Sequence, residues 1–155
     1  MSSKSLSIGA AALAAVFAAL VGCASSQTVK PVTEEELKAK RDSAQQHYSI
    51  GASYFSQNNF ESALENFKRA LSFDSTYYEV YVAIGTAYRK MLDPINAEDY
   101  FRKAIKLDPK KAKAYEGLGD LFLAMHKDTA ALAVYQEGLA NDSSLVDLYN
   151  GTAEV

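Results

Sequence analysis

Cys23 is the chain's only thiol and follows directly on an apolar run. With no second cysteine to pair with, the chemistry open to it is that of a lone nucleophilic sulfur rather than a disulfide. The two imidazoles, His47 and His126, lie far apart, and no cysteine or carboxylate cluster stands at metal-ligand spacing. Glu98 beside Asp99, and Asp42 with Glu61, are carboxylate pairs in name only, because they fall on helical faces that must stay polar. No nucleophile-elbow, phosphate-loop or dinucleotide fingerprint is present. The residues point to no catalytic centre, no metal and no cofactor. What remains is the sulfur of Cys23 and whatever surface the rest of the chain builds.

The elements ahead of Cys23 give its sulfur a role. Lys4 supplies a positive start, and residues 6–21 form an Ala-rich apolar stretch. The stretch is shorter than the ~20 residues a membrane span requires and reads as the core of a secretory signal covering residues 1–22. Leu20-Val21-Gly22-Cys23 then resembles a bacterial lipobox. That resemblance implies a diacylglycerol on the Cys23 sulfur, cleavage before Cys23 and acylation of the new amino group. Two or three acyl chains would anchor the chain firmly to a membrane without spanning it, at ~0.8 kcal/mol per buried CH₂. Ala24 follows, not the Asp that marks inner-membrane retention in enteric bacteria. In a cell with two membranes the expected location is therefore the outer membrane, facing the periplasm.

Cleavage would leave 133 of the 155 residues and take the formal charge from −3 to −4 through loss of Lys4. That length is one ordinary domain, and mild acidity with scattered cations speaks against a nucleic-acid partner. Lys110, Lys111 and Lys113 make the only basic cluster, read as the solvated start of a helix after Pro109.

The remainder of the chain repeats itself every 34 residues. Gly51, Gly85 and Gly119 recur at that interval, as do Tyr54, Tyr88 and Phe122. Ala63, Ala97 and Ala131 follow the same period, with Phe67, Phe101 and Tyr135, and with Ala70, Ala104 and Gly138. The pattern of Leu/Ile-Gly, aromatic, then Ala-x-x-x-aromatic resembles the tetratricopeptide repeat. The usual opening Trp is replaced by His47, Tyr81 and Tyr115, and the closing Pro survives only as Pro109. His47 and the tyrosines 54, 81, 88, 115 and 135 are expected to pack in the core. The resemblance implies an all-α, right-handed superhelical solenoid of about three helix-turn-helix repeats with a short C-terminal capping helix. Each helix pair leaves an apolar face that only a stacked neighbour can cover.

The expected layout is a lipidated cysteine and tether over residues 23–32 and a helical extension over 33–43. Repeats follow over 44–77, 78–111 and 112–145, with a partial fourth repeat or cap over 146–155. A tether of ~9 residues reaches at most about 30 Å, which would hold the repeats near their leaflet. Thr33 with Glu36 forms a capping-box signature opening a helix to about Ser56. Asp93-Pro94 is an N-cap followed by proline at the first helical position, and Asp128 is read as the cap of the last helix. The half-helix from Leu145 is short for a cap, so that end either closes minimally or meets another copy of the chain.

In this family the concave groove is lined by first-helix residues facing away from the packed seam. Carried over, these are Gln45, Tyr48, Ala52 and Phe55; Glu79, Val82, Thr86 and Arg89; and Lys113, Glu116, Asp120 and Leu123. The chaperone-binding members hold a terminal carboxylate with Lys and Asn where this chain has Tyr48 and Ala52, so a chaperone-tail receptor is not expected. The set offers aromatics at one end and the Glu116–Asp120 acidic pair at the other, unless Arg89 neutralises Asp120 internally. The expected function is a lipid-anchored scaffold binding a protein or peptide in a secretion, pilus or outer-membrane assembly. The alternative is a peptidoglycan-associated or cell-division accessory protein docking a wall enzyme.

Overall fold

The computed structural model describes residues 32–141, which form six helices and no strand among the described residues. They are α1 (Glu34–Ser56), α2 (Phe60–Phe73), α3 (Tyr78–Lys90), α4 (Pro94–Leu107), α5 (Ala112–Ala124) and α6 (Asp128–Asn141). The order is that of three antiparallel helix pairs, α1·α2, α3·α4 and α5·α6, stacked side by side. No helix of the described residues is long and apolar enough to cross a membrane. The expected lipobox, the tether up to residue 31 and the C-terminal half-helix lie outside the described residues.

Local chemistry sets the helix starts. The Thr33 hydroxyl accepts from the Glu36 N–H at 3.2 Å while the Glu36 carboxylate accepts from the Thr33 N–H at 3.0 Å. Two of the orphan donors at the start of α1 are thus satisfied reciprocally. Asn59 and Asp93 cap α2 and α4 through Ser62 N–H and Asn96 N–H, each at 3.1 Å. The Asn96 side-chain amide, 2.6 Å from Asp93, holds that carboxyl below its usual range. Asp128 departs from expectation. It is the first residue of α6 rather than its cap, which suits its charge to the positive end of the helix.

The period has a packing cause. A Cβ placed on Gly51 would lie 2.6 Å from the Phe67 ring, on Gly85 2.9 Å from Phe101, and on Gly119 2.1 Å from Tyr135. Each first helix therefore meets an aromatic of its own second helix at a distance only glycine permits. Gly117 does the same across repeats, its added Cβ falling 2.4 Å from Phe101. Phe101 is fully buried, held between Gly85 of its own repeat and Gly117 of the next. Ala63, Ala97 and Ala131 are fully buried at the equivalent seam positions.

Not every aromatic in the series is core. Tyr115 and Tyr135 are buried, Tyr81 and Tyr88 are half-buried, and Tyr54 is exposed. The difference lies in stacking: the Tyr88 hydroxyl receives a 3.2 Å bond from Lys68 of the preceding repeat, whereas no repeat precedes Tyr54 among the described residues. His47 is likewise half-buried, stacked on Phe73 at 5.5 Å.

Candidate partner-binding groove

The first helices α1, α3 and α5 share one side of the stack, and a concavity of about 640 Å³ opens between the first two repeats there. Its floor is apolar. Tyr48, Ala52 and Phe55 of α1, Phe67 of α2, and Tyr78, Val82 and Ala83 of α3 supply it. Glu79 and Thr86 add polar edges from α3, and one rim is made by Lys110, Lys111, Ala112 and Lys113 at the turn into α5. The size and the mix of apolar walls with a few convergent polar groups are those of a binding site.

Aromatic contacts fix the floor. The Tyr48 ring lies 5.8 Å from Phe67 and 5.4 Å from Tyr77, and Phe55 meets Phe60 edge-on at 5.3 Å. These separations are those of mutually stabilising rings. The Tyr77 hydroxyl donates to Gln45, and burial raises its pKa above the ordinary tyrosine value.

All three lysines of the rim are exposed, as a solvated helix start would be, but Lys111 is also held in place. Lys111 Nζ lies 2.9 Å from Glu79 and 3.9 Å from Asp108, and 4.5 Å above the Tyr78 ring. It is drawn onto the second repeat by charge and by the ring face together. Beneath it, the Tyr78 hydroxyl donates to the Lys111 carbonyl at 3.1 Å and accepts from the Ala114 N–H at 3.0 Å. Lys111 offers α5 no side-chain cap, so Tyr78 does that work from the neighbouring repeat. Burial pushes its phenol up to about 12. Lys110 and Lys113 have no ion-pair partner among the described residues.

The structure brings together Tyr48, Ala52, Phe55, Glu79, Val82, Thr86 and Lys113 of the residues expected in the groove. It leaves out five. Gln45 is exposed, serving Tyr77. Arg89 and Asp120 form their own ion pair at 2.9 Å, and the Tyr135 hydroxyl donates to the same carboxylate at 3.2 Å. Glu116 is half-buried and engaged, and Leu123 packs against the third repeat's core. The acidic pair is thus not a wall of this concavity; Arg89 holds Asp120, linking the second repeat to the third. Sequence reasoning missed Ala83, Phe67, Tyr78, Lys110, Lys111 and Ala112. The three-lysine run was the available signal.

No curated protein matches the chain by sequence. Solved structures share its fold. The crystal structure of a MamA protein is 21% identical, with a TM-score of 0.62 over 68% of this chain, which spans only 57% of that one. The first repeat domain of Spaghetti (RPAP3), bound to the HSP90 peptide SRMEEVD, is 20% identical with a TM-score of 0.65, over 74% of this chain and 90% of that one. The TPR2B domain of yeast Sti1, in its complex with pHsp70, is 18% identical with a TM-score of 0.63, over 73% and 98%. At these identities the likeness concerns the fold. Two family models, each described as tetratricopeptide repeat, match residues 44–77 and 82–145. Together with the stacked helix pairs and the glycine–aromatic seam, these matches establish that the chain belongs to the tetratricopeptide repeat family.

Proposed function

We propose that the chain is a lipid-anchored scaffold of a bacterial cell envelope, tethered through Cys23, that docks a segment of a partner protein in the concavity between its first two repeats. The single observation that supports docking is the apolar floor itself. Half-buried Tyr48 and Phe55 and exposed Ala52 line the concavity together with Val82 and Ala83, and nothing among the described residues covers them there. Uncovered apolar surface with a polar rim is characteristic of interaction sites. Relatives of the same fold hold peptides, as the Spaghetti domain's HSP90 complex illustrates. Anchoring rests on the lipobox resemblance around the only cysteine. A surface-bound scaffold would recruit its partner to a secretion, pilus or outer-membrane assembly.

The test is capture from envelopes solubilised in mild detergent. Parent protein should retain a partner that Ala52→Glu loses, with the helical circular dichroism unchanged. Retention of the same partner by both forms would move the site elsewhere on the molecule.

A further inference from the structure

The rim and floor of the concavity differ in chemistry, and the difference specifies an occupant. Lys111 is committed to Glu79 and Tyr78. Lys110 and Lys113 line the same concavity, are exposed, and have no ion-pair partner among the described residues. Glu79, the carboxylate among the lining residues, is already spoken for by Lys111. The open rim is therefore cationic beside an apolar floor. Across from it, the Tyr48–Ala52 side offers no second cation, and the nearby Gln45 side chain accepts from the Tyr77 hydroxyl.

We propose that the concavity selects an internal segment of its partner that sets a bulky apolar side chain against Tyr48, Phe55 and Val82 and a carboxylate against Lys110 and Lys113. This rests on the docking reading above and names its ligand chemistry. Complementary charge at the rim supplies orientation and discrimination, while the apolar contact supplies most of the affinity. A basic segment would meet two unneutralised cations and be rejected. The cations stand on one side only, so the acid need not be a chain terminus. A side-chain carboxylate serves as well as a terminal one, which sets this groove apart from one that grips a terminal carboxylate from both sides.

The experiment measures fluorescence anisotropy of labelled synthetic 12-residue peptides against the full chain carrying Cys23→Ser. One peptide has Leu-Phe flanked by glutamates within a Gly/Ser background. Others replace the glutamates with lysines, replace Leu-Phe with serines, or amidate the terminus of the first. The acidic peptide should bind about tenfold tighter than the lysine peptide, the scale of a few partly screened ion pairs. The preference should shrink in 0.5 M salt, and the serine peptide should not bind. Amidation should change nothing. Lys110→Glu with Lys113→Glu should invert the preference while the circular dichroism stays that of the parent. Equal binding of acidic and basic peptides, a preference the charge reversal leaves unmoved, or loss on amidation would each overturn the proposal. So would light scattering that shows a dimer of the parent dissolved by the reversal, since a second copy would then be the occupant. If no peptide binds while Ala52→Glu still abolishes capture from envelopes, the ligand chemistry is wrong and docking stands. If Ala52→Glu also leaves capture intact, the docking reading itself fails.

Discussion

The Tyr78 hydroxyl caps a helix that begins more than thirty residues later in the chain, accepting the Ala114 N–H at 3.0 Å. It joins the second repeat to the third at the lip of the concavity, where the same hydroxyl donates to the Lys111 carbonyl. Tyr78→Phe keeps the ring and strands the Ala114 N–H, a buried donor. A loss of about 1–3 kcal/mol in unfolding free energy follows from that unsatisfied group, measurable by urea denaturation followed by circular dichroism. A variant as stable as the parent would show that water or a shifted backbone replaces the phenol.

The same phenol makes stability depend on alkaline pH. Burial raises its pKa in the folded state to about 12, above the ordinary value of 10.0. The unfolded chain therefore loses the proton more readily, and folding stability falls as pH rises from about 10 through 12. Tyr115 and Tyr77 are raised in the same direction, chiefly by burial. Denaturation midpoints should drop over that window in the parent and drop less steeply in Tyr78→Phe. Parallel slopes would assign the alkaline loss to the other tyrosines.

Gly119→Ala is expected to be more damaging than Gly85→Ala. An added Cβ meets the buried Tyr135 ring at 2.1 Å in the first case and the Phe101 ring at 2.9 Å in the second. Alanine's helix propensity returns only ~1 kcal/mol, whereas forcing atoms into a filled core costs typically 1–3 kcal/mol. Both contacts are shorter than real side chains tolerate, so the gain in propensity does not rescue either site. Thermal melts should rank parent, Gly85→Ala and Gly119→Ala in descending order; the reverse order would mean the Tyr135 ring rotates away freely.

Leu92 is held at φ 59° and is 88% exposed. Asn58 and His126 occupy the same left-handed position in the turns of the other repeats. A branched apolar residue there gains nothing from packing and bears a steric cost of roughly 1–2 kcal/mol that glycine escapes. Leu92→Gly should raise the denaturation midpoint, and Leu92→Asn should do so to a lesser degree. A lower midpoint for both would reveal a contact made by the Leu92 side chain.

Much of the fold was legible because its determinants are local or periodic. Thr33 with Glu36 and Asp93 with Pro94 announce helix starts within four residues, and the Gly85–Phe101 seam recurs once per repeat. The concavity was less legible because its rim is assembled across repeats. Lys110 and Lys111 look like a solvated run until Lys111 is seen folded onto Glu79 and the Tyr78 ring. Asp120 looks available until Arg89 is found 2.9 Å away. Gly117 belongs to a series of small residues, Ser49, Ala83 and Gly117, whose changing identity makes its contact with Phe101 harder to read than the invariant glycines. The left-handed turn at Leu92 is hidden for a related reason, since nothing in a leucine advertises that conformation.

The Arg89–Asp120 pair is half-exposed at its acidic end and should matter little to binding. Asp120→Asn is expected to cost about 0.2–1 kcal/mol of stability, as partly exposed ion pairs do, with partner capture unchanged. Loss of capture by this variant alone would shift the site toward the third repeat.

The most direct measurement of the docking surface is photo-crosslinking in intact cells. With p-benzoylphenylalanine at Ala52, which lines the concavity, ultraviolet light should yield one discrete higher-mass adduct in the membrane fraction. The same probe at exposed Glu61 on α2 should yield none. Adducts of equal intensity from both positions, or from Glu61 alone, would contradict a partner seated on the concave face.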